Sequence, residues 1–110
     1  MTKTQSAANP EYVKLSRYDV ADHLRSPEEM ADYLDAWLDE FPNDVSGIAR
    51  AVGDIARAKG MTQVAKEAGL SRESLYRSLS EEGNPSFSTI LKVLSAVGLK
   101  LSVSVARSDG

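Results

Sequence analysis

Residues 61–80, MTQVAKEAGLSRESLYRSLS, read as two short helices joined by a tight turn. Gly69 sits where the first helix has to stop and reverse, a position that favours positive φ and a residue without Cβ. Ala65, four residues earlier, lies on the face that the second helix crosses, where a larger side chain would hold the two apart. Val64, Ala68, Leu70 and Leu75 supply the apolar seam. Ser71 follows the turn as an N-cap, so the second helix starts near Arg72. The expectation is a helix-turn-helix of Thr62–Ala68 and Arg72–Leu79, with a plain helical hairpin as the competing reading.

The second helix of such a pair can expose Arg72, Glu73, Tyr76 and Arg77 to base edges and phosphates in a major groove. Arg72 and Arg77 diverge by about 140° around the helix axis, so both cannot point into the groove. Arg72, in the first turn, is placed for a base edge and Arg77 for a phosphate. Ser71, Ser74 and Tyr76 can donate to phosphates or bases, and Glu73 can accept from cytosine. Gln63 starts the first helix, where backbone N–H groups help it hold a phosphate. Lys66 and Lys59 are further phosphate contacts, with plain surface solvation as the equal alternative.

Outward from this core the chain reads as more helices. Ser26-Pro27-Glu28-Glu29 is a start signal with serine as N-cap, proline in the first helical position and Glu29 completing a capping box. That helix runs to about Glu40, with Met30, Tyr33, Leu34, Trp37, Leu38 and Phe41 as its apolar stripe. Pro42-Asn43-Asp44 breaks it, and Asp44 caps a helix over Val45–Lys59 whose apolar positions are Val45, Ile48, Ala49, Val52, Ile55 and Ala56. Gly60 terminates that helix. After the loop Glu81-Glu82-Gly83-Asn84-Pro85, Ser86 caps a helix carrying Phe87, Ile90, Leu91, Val93, Leu94 and Val97 towards the core, and Gly98 ends it. Leu99–Val105 alternates, apolar at odd positions, and reads as one β-strand. A lone strand cannot satisfy its own backbone, so it needs a mate: an extended piece near Tyr12–Leu15, or the same strand of a second copy. Asp19–Leu24 reads as a helical turn or two, with Asp19 as cap.

The 110-residue chain has no cysteine, which excludes disulfides and thiolate chemistry and fits a reducing cytoplasm. Its start, MTKTQSAANP, has no apolar signal core, and no apolar run approaches the roughly 20 residues of a membrane helix. The net charge of −3 is unevenly spread: residues 1–44 hold four basic and ten acidic side chains, residues 45–110 nine basic and six acidic. An acidic front and a basic back suggest two surfaces with different partners, or merely an imbalance on solvated faces. The candidate front surface is the segment Asp19–Asp44, with Tyr33, Asp35, Trp37, Asp39 and Glu40 as contact residues for a basic protein. Tyr33, Trp37 and Phe41 are either core packing or an anchor for a partner, with core packing the favoured reading. Asp39 and Glu40 in the last turn of their helix oppose its dipole, an arrangement that a cationic partner would relieve.

Enzymatic chemistry finds no support. There is no thiol nucleophile, no nucleophile-elbow sequence and no glycine-rich phosphate loop. His23, the only histidine, lies four residues after Asp19, but two ligands make no metal site. The expectation is a non-enzyme with no cofactor.

With five helices in this order, residues 44–98 resemble a Cro/repressor-type DNA-binding domain. The span from about Tyr18 to Leu101 resembles, more specifically, the HigA-like addiction-module antidote family. Its pieces are YDVADHL, SPEEMADYLDAWLDE and AVGDIARAKGMTQVAKEAGLSRESLYRSLSEEGNPSFSTILKVLSAVGLKL. The stretch AGLSRESLYRSLSEEGNPSFSTILKVL carries most of the likeness. The resemblance implies an antitoxin with two tasks: neutralising a toxin of the RelE/ParE/HigB fold and repressing the shared operon through the helix-turn-helix. The implied fold is mainly all-α. It comprises a tail (1–17), an acidic helical extension (18–44), the helix-turn-helix domain (45–98), and a C-terminal strand and tail (99–110). The implied partners are a palindromic double-stranded operator, a toxin and a second copy of the chain, in the cytoplasm. One departure stands out: the wider repressor pattern has an apolar residue three after the position of Leu75, where this chain has Ser78, with Leu79 beside it. A repressor without a toxin, and a pure protein-binding module, are the two other readings. Steep loss of affinity with salt separates the DNA binders from the last.

Overall fold

A computed structural model describes Val20, residues 22–80 and residues 83–106. The expectations for the tail, for an extended Tyr12–Leu15, for Asp19 as a cap and for Glu81-Glu82 lie outside the described residues. Five helices follow in order: α1 (Pro27–Glu40), α2 (Val45–Lys59), α3 (Met61–Ala68), α4 (Arg72–Ser78) and α5 (Phe87–Ala96). Val20, Asp22 and His23 are helical ahead of them. No helix among the described residues is long and apolar enough to cross a membrane.

The helix starts are local chemistry. Ser26, Asp44, Ser71 and Ser86 each accept a hydrogen bond from the backbone N–H three residues on, and Pro27 occupies the first position of α1. The capping box differs from expectation by one residue. Glu29 Oε1 accepts from the Arg25 N–H at 2.8 Å, so the carboxylate reaches back beyond Ser26. The connection between α2 and α3 is a single glycine, Gly60 (φ 120°), and α3 starts one residue earlier than the sequence pattern suggests. Met61 is buried there and belongs to the core.

α2 is the central strut. It packs on α1, α3 and α5, while α3 also meets α4 and α5. Val52, Ile55 and Ala56 of α2 join Val64 and Ala65 of α3, Leu75 and Leu79, and Val93, Leu94 and Val97 in one buried cluster. Met30, Tyr33 and Leu34 seat α1 on the same cluster, which Val20 and Leu24 extend. Not every apolar position goes inside. Phe41 and Val45 flank the α1–α2 corner and are exposed, as are Phe87 and Leu91 on α5. The apolar arc of α5 is wider than the face that α2 and α3 cover, so its first turn and Leu91 are left in water.

Gly98 (φ 86°) ends the last helical turn, and the Leu99 N–H returns to the Leu94 carbonyl at 2.8 Å. From Leu99 to Ala106 the described residues hold no regular secondary structure, and no strand occurs among the described residues. The alternating segment was expected to be a strand; a strand exists only as part of a ladder, and the described helices offer it no edge.

Candidate nucleic-acid interface

The turn between α3 and α4 is closed by backbone geometry. Gly69 is left-handed (φ 74°, ψ 31°), and its N–H bonds the carbonyls of Ala65 and Lys66. The Leu70 N–H then reaches the Ala65 carbonyl at 2.9 Å, a Schellman-like finish that reverses the chain within two residues. Ser71 Oγ accepts from the Ser74 N–H at 3.0 Å and starts α4. Val64, Ala65 and Ala68 are buried between the helices, and Leu70 is half-buried against them. Ala65 contributes no side chain beyond Cβ, which lets the chain after the turn cross close to α3.

α4 is anchored from below by Leu75 and Leu79, both almost fully buried. Leu79 therefore takes the apolar place that Ser78 leaves vacant, and Ser78 is half-buried beside it. With that face turned in, Ser71, Arg72, Glu73, Tyr76 and Arg77 stand exposed, and Ser74 is half-buried. Gln63 and Lys66 are exposed on α3, as is Lys59 at the end of α2. Every residue expected to face nucleic acid is thus at the surface except Ser74, whose backbone N–H already serves the cap.

Two of these side chains are organised before any ligand arrives. The Arg72 guanidinium lies over the Tyr76 ring, 5.3 Å from its centroid, with Nη2 3.5 Å from the phenolic oxygen, at the limit of a hydrogen bond. Ser71, Arg72, Glu73 and Tyr76 border a shallow, open depression. Gln63 Nε2 donates to Glu67 Oε2 at 3.2 Å. Lys66, Arg72 and Arg77 share this face with Glu67 and Glu73, so its positive excess is small.

The acidic helix is a different kind of surface. Asp32, Asp35, Asp39 and Glu40 are exposed along α1. Tyr33, expected as a contact residue, is instead buried at 4% exposure. Its hydroxyl donates to Asp54 Oδ2 at 2.8 Å, and Arg57 Nη2 donates to Asp54 Oδ1 at 2.8 Å. Burial, and then the charge of Asp54, push the Tyr33 hydroxyl well above its ordinary pKa of 10.0, so it stays a donor. Trp37 is half-buried, its ring 5.3 Å from that of Phe41 and under the Arg50 guanidinium at 5.8 Å. A buried Tyr33 and a half-covered Trp37 leave the carboxylates as the accessible part of that set. Asp54 escaped the sequence reading. Its signal was a lone carboxylate inside the apolar pattern of α2, three residues before an arginine.

Comparison with known proteins places the chain. A family described as "Probable addiction module antidote protein" matches residues 14–105, from ahead of α1 through all five helices to the C-terminal segment. The chain belongs to this antidote family. An uncharacterized protein of Haemophilus influenzae is 47% identical to the antidote chain over 94 residues, covering 86% of this chain and 95% of the relative. No solved structure matches the antidote chain significantly. Membership supports an antitoxin role with a toxin as partner. Among the described residues of the antidote, no group of histidine, cysteine or carboxylate side chains is arranged to hold a metal.

Proposed function

We propose that this antidote is a non-enzymatic antitoxin of a type II toxin–antitoxin module. It neutralises a basic toxin of the RelE/HigB class and represses its own operon as a cytoplasmic homodimer bound to a palindromic operator. The observation that carries the DNA-binding half is the seating of α4: buried Leu75 and Leu79 hold it rigidly while Arg72, Tyr76 and Arg77 face outward. Arg72 reads a base edge, and Arg77, Lys66 and Gln63 grip phosphates. The toxin half is supported by family membership and by the exposed carboxylates Asp35, Asp39 and Glu40 on α1. Neutralisation through that face would bring a cation-rich surface to the C-terminal end of α1, where the helix dipole now opposes Asp39 and Glu40.

Titration of the full chain onto DNA from upstream of its own gene tests this. Affinity should fall steeply between about 50 and 200 mM salt, as counterion release requires. Arg72→Ala should cost about 1–3 kcal/mol and relax the preference at one base position. Salt-independent binding, or an Arg72→Ala variant indistinguishable from the parent on operator, would remove α4 from the role of reading helix. Co-purification with the neighbouring small basic protein tests the other half, and a chain that binds operator but never that protein is a repressor alone.

A further inference from the structure

The C-terminal segment Leu99–Val105, LKLSVSV, puts leucine or valine at every odd position and lysine or serine at every even one. Its first half uses the apolar side: Leu99 is half-buried against the core cluster. Leu101 borders an open groove of about 250 Å³ with Leu34 and Leu38 of α1 and Leu94 of α5. The second half uses nothing. Val103 and Val105 are 96% and 90% exposed, and no backbone hydrogen bond within the described residues engages residues 100–106. Among the described residues, a segment of strand composition is therefore unpaired beside an open groove whose leucines are rimmed by Asp32, Asp35 and Lys100.

We infer that this segment pairs antiparallel with the same segment of a second copy, about a two-fold axis at Ser102, and that the partner's valines close the groove. The register follows from the sequence. Centred on Ser102, Leu99 faces the partner's Val105, Leu101 faces the partner's Val103, and Lys100 faces the partner's Ser104. No other antiparallel register sets all four apolar residues opposite apolar ones. An in-register parallel pair would set lysine against lysine, which is unfavourable. Opposed residues share a face of the ribbon. The partner's Val103 and Val105 thus lie on the side where Leu99 and Leu101 meet the core, next to Leu38 and the groove. Each copy completes the apolar surface of the other, and the ladder satisfies the backbone groups that a single chain leaves open.

This inference supplies the interface for the homodimer of the proposed function and rests on that part of it. Its test needs neither DNA nor toxin, so the two can fail separately. The molar mass of the full chain, measured by light scattering at about 0.1 mM, should be twice 11.9 kDa. Val103→Lys with Val105→Lys should halve it with helix content unchanged, because both positions are already in water in the single chain. The chain has no cysteine, so Ser102→Cys gives one thiol. On the two-fold axis it faces its own copy and should form a covalent dimer under mild oxidation, whereas Ser104→Cys, facing lysine, should do so far less. A monomeric parent chain, a doubly substituted chain of parental mass, or equal cross-linking at 102 and 104 would each overturn the inference. Should the lysine variant misfold, the two cysteine variants decide alone.

Discussion

A single carboxylate shows how burial rewrites a side chain's meaning. Asp54 counts as one negative charge among sixteen acidic residues in the sequence, yet it is 3% exposed and held by Tyr33 from α1 and Arg57 from its own helix. A charge that deep persists only with partners, so the Tyr33 hydroxyl is a tie between α1 and α2. Tyr33→Phe should lower the unfolding free energy by about 1–2 kcal/mol, read from urea denaturation near neutral pH. The pH dependence has a definite sign. Well below pH 10.0 Tyr33 is protonated folded and unfolded, and it adds no slope. Above it the unfolded chain ionises first, since the folded hydroxyl holds its proton higher, and stability falls. The gap between parent and Tyr33→Phe should therefore narrow by about pH 11; a gap that stays constant would mean that the hydroxyl is not retained as a donor.

At the level of the helices, the starts were legible because each is settled within about four residues. A serine or aspartate whose side chain reaches the N–H three positions on needs no distant partner, and the four caps expected among the described residues form. The corner between α1 and α2 depends on more than capping. Gly47 lies in the first turn of α2, its N–H bonded to Asp44 Oδ1 at 3.0 Å. A Cβ built there would come within 2.6 Å of the Trp37 ring and press on the Asp44 carboxylate. Alanine has the higher helix propensity by about 1 kcal/mol, but overpacking at this corner exceeds that gain. Gly47→Ala should be destabilising by about 1–2 kcal/mol in thermal or urea unfolding, and a stabilised variant would show that the corner has room to yield.

For the whole molecule the decisive arrangement is the separation of two charged faces. α1 packs chiefly on α2 and shows water Asp32, Asp35, Asp39 and Glu40, while Lys66, Arg72 and Arg77 belong to α3 and α4. Under the proposed function these surfaces act independently. Replacing Asp39 and Glu40 together by lysine should abolish capture of the basic partner and leave α4's own contacts with operator intact. Anisotropy titration on operator and pull-down with the partner read the two effects on the same protein. Loss of both, with the fold intact by circular dichroism, would show that the faces overlap.

The local sequence determined the pair of short helices α3 and α4 and the turn between them by itself: a left-handed glycine, a capping serine and an apolar seam at helical spacing leave the chain from Met61 to Leu79 little else to do. It also determined the outward set on α4, because burying Leu75 fixes the rotation of so short a helix. Tertiary structure decided which apolar and charged groups that pattern treats alike go inside. Tyr33 and Asp54 are buried against each other, while Phe87, Leu91 and the two C-terminal valines remain in water. Periodicity shows that a side chain has an apolar face to turn towards; only the packing of the other helices supplies, or withholds, the surface that covers it.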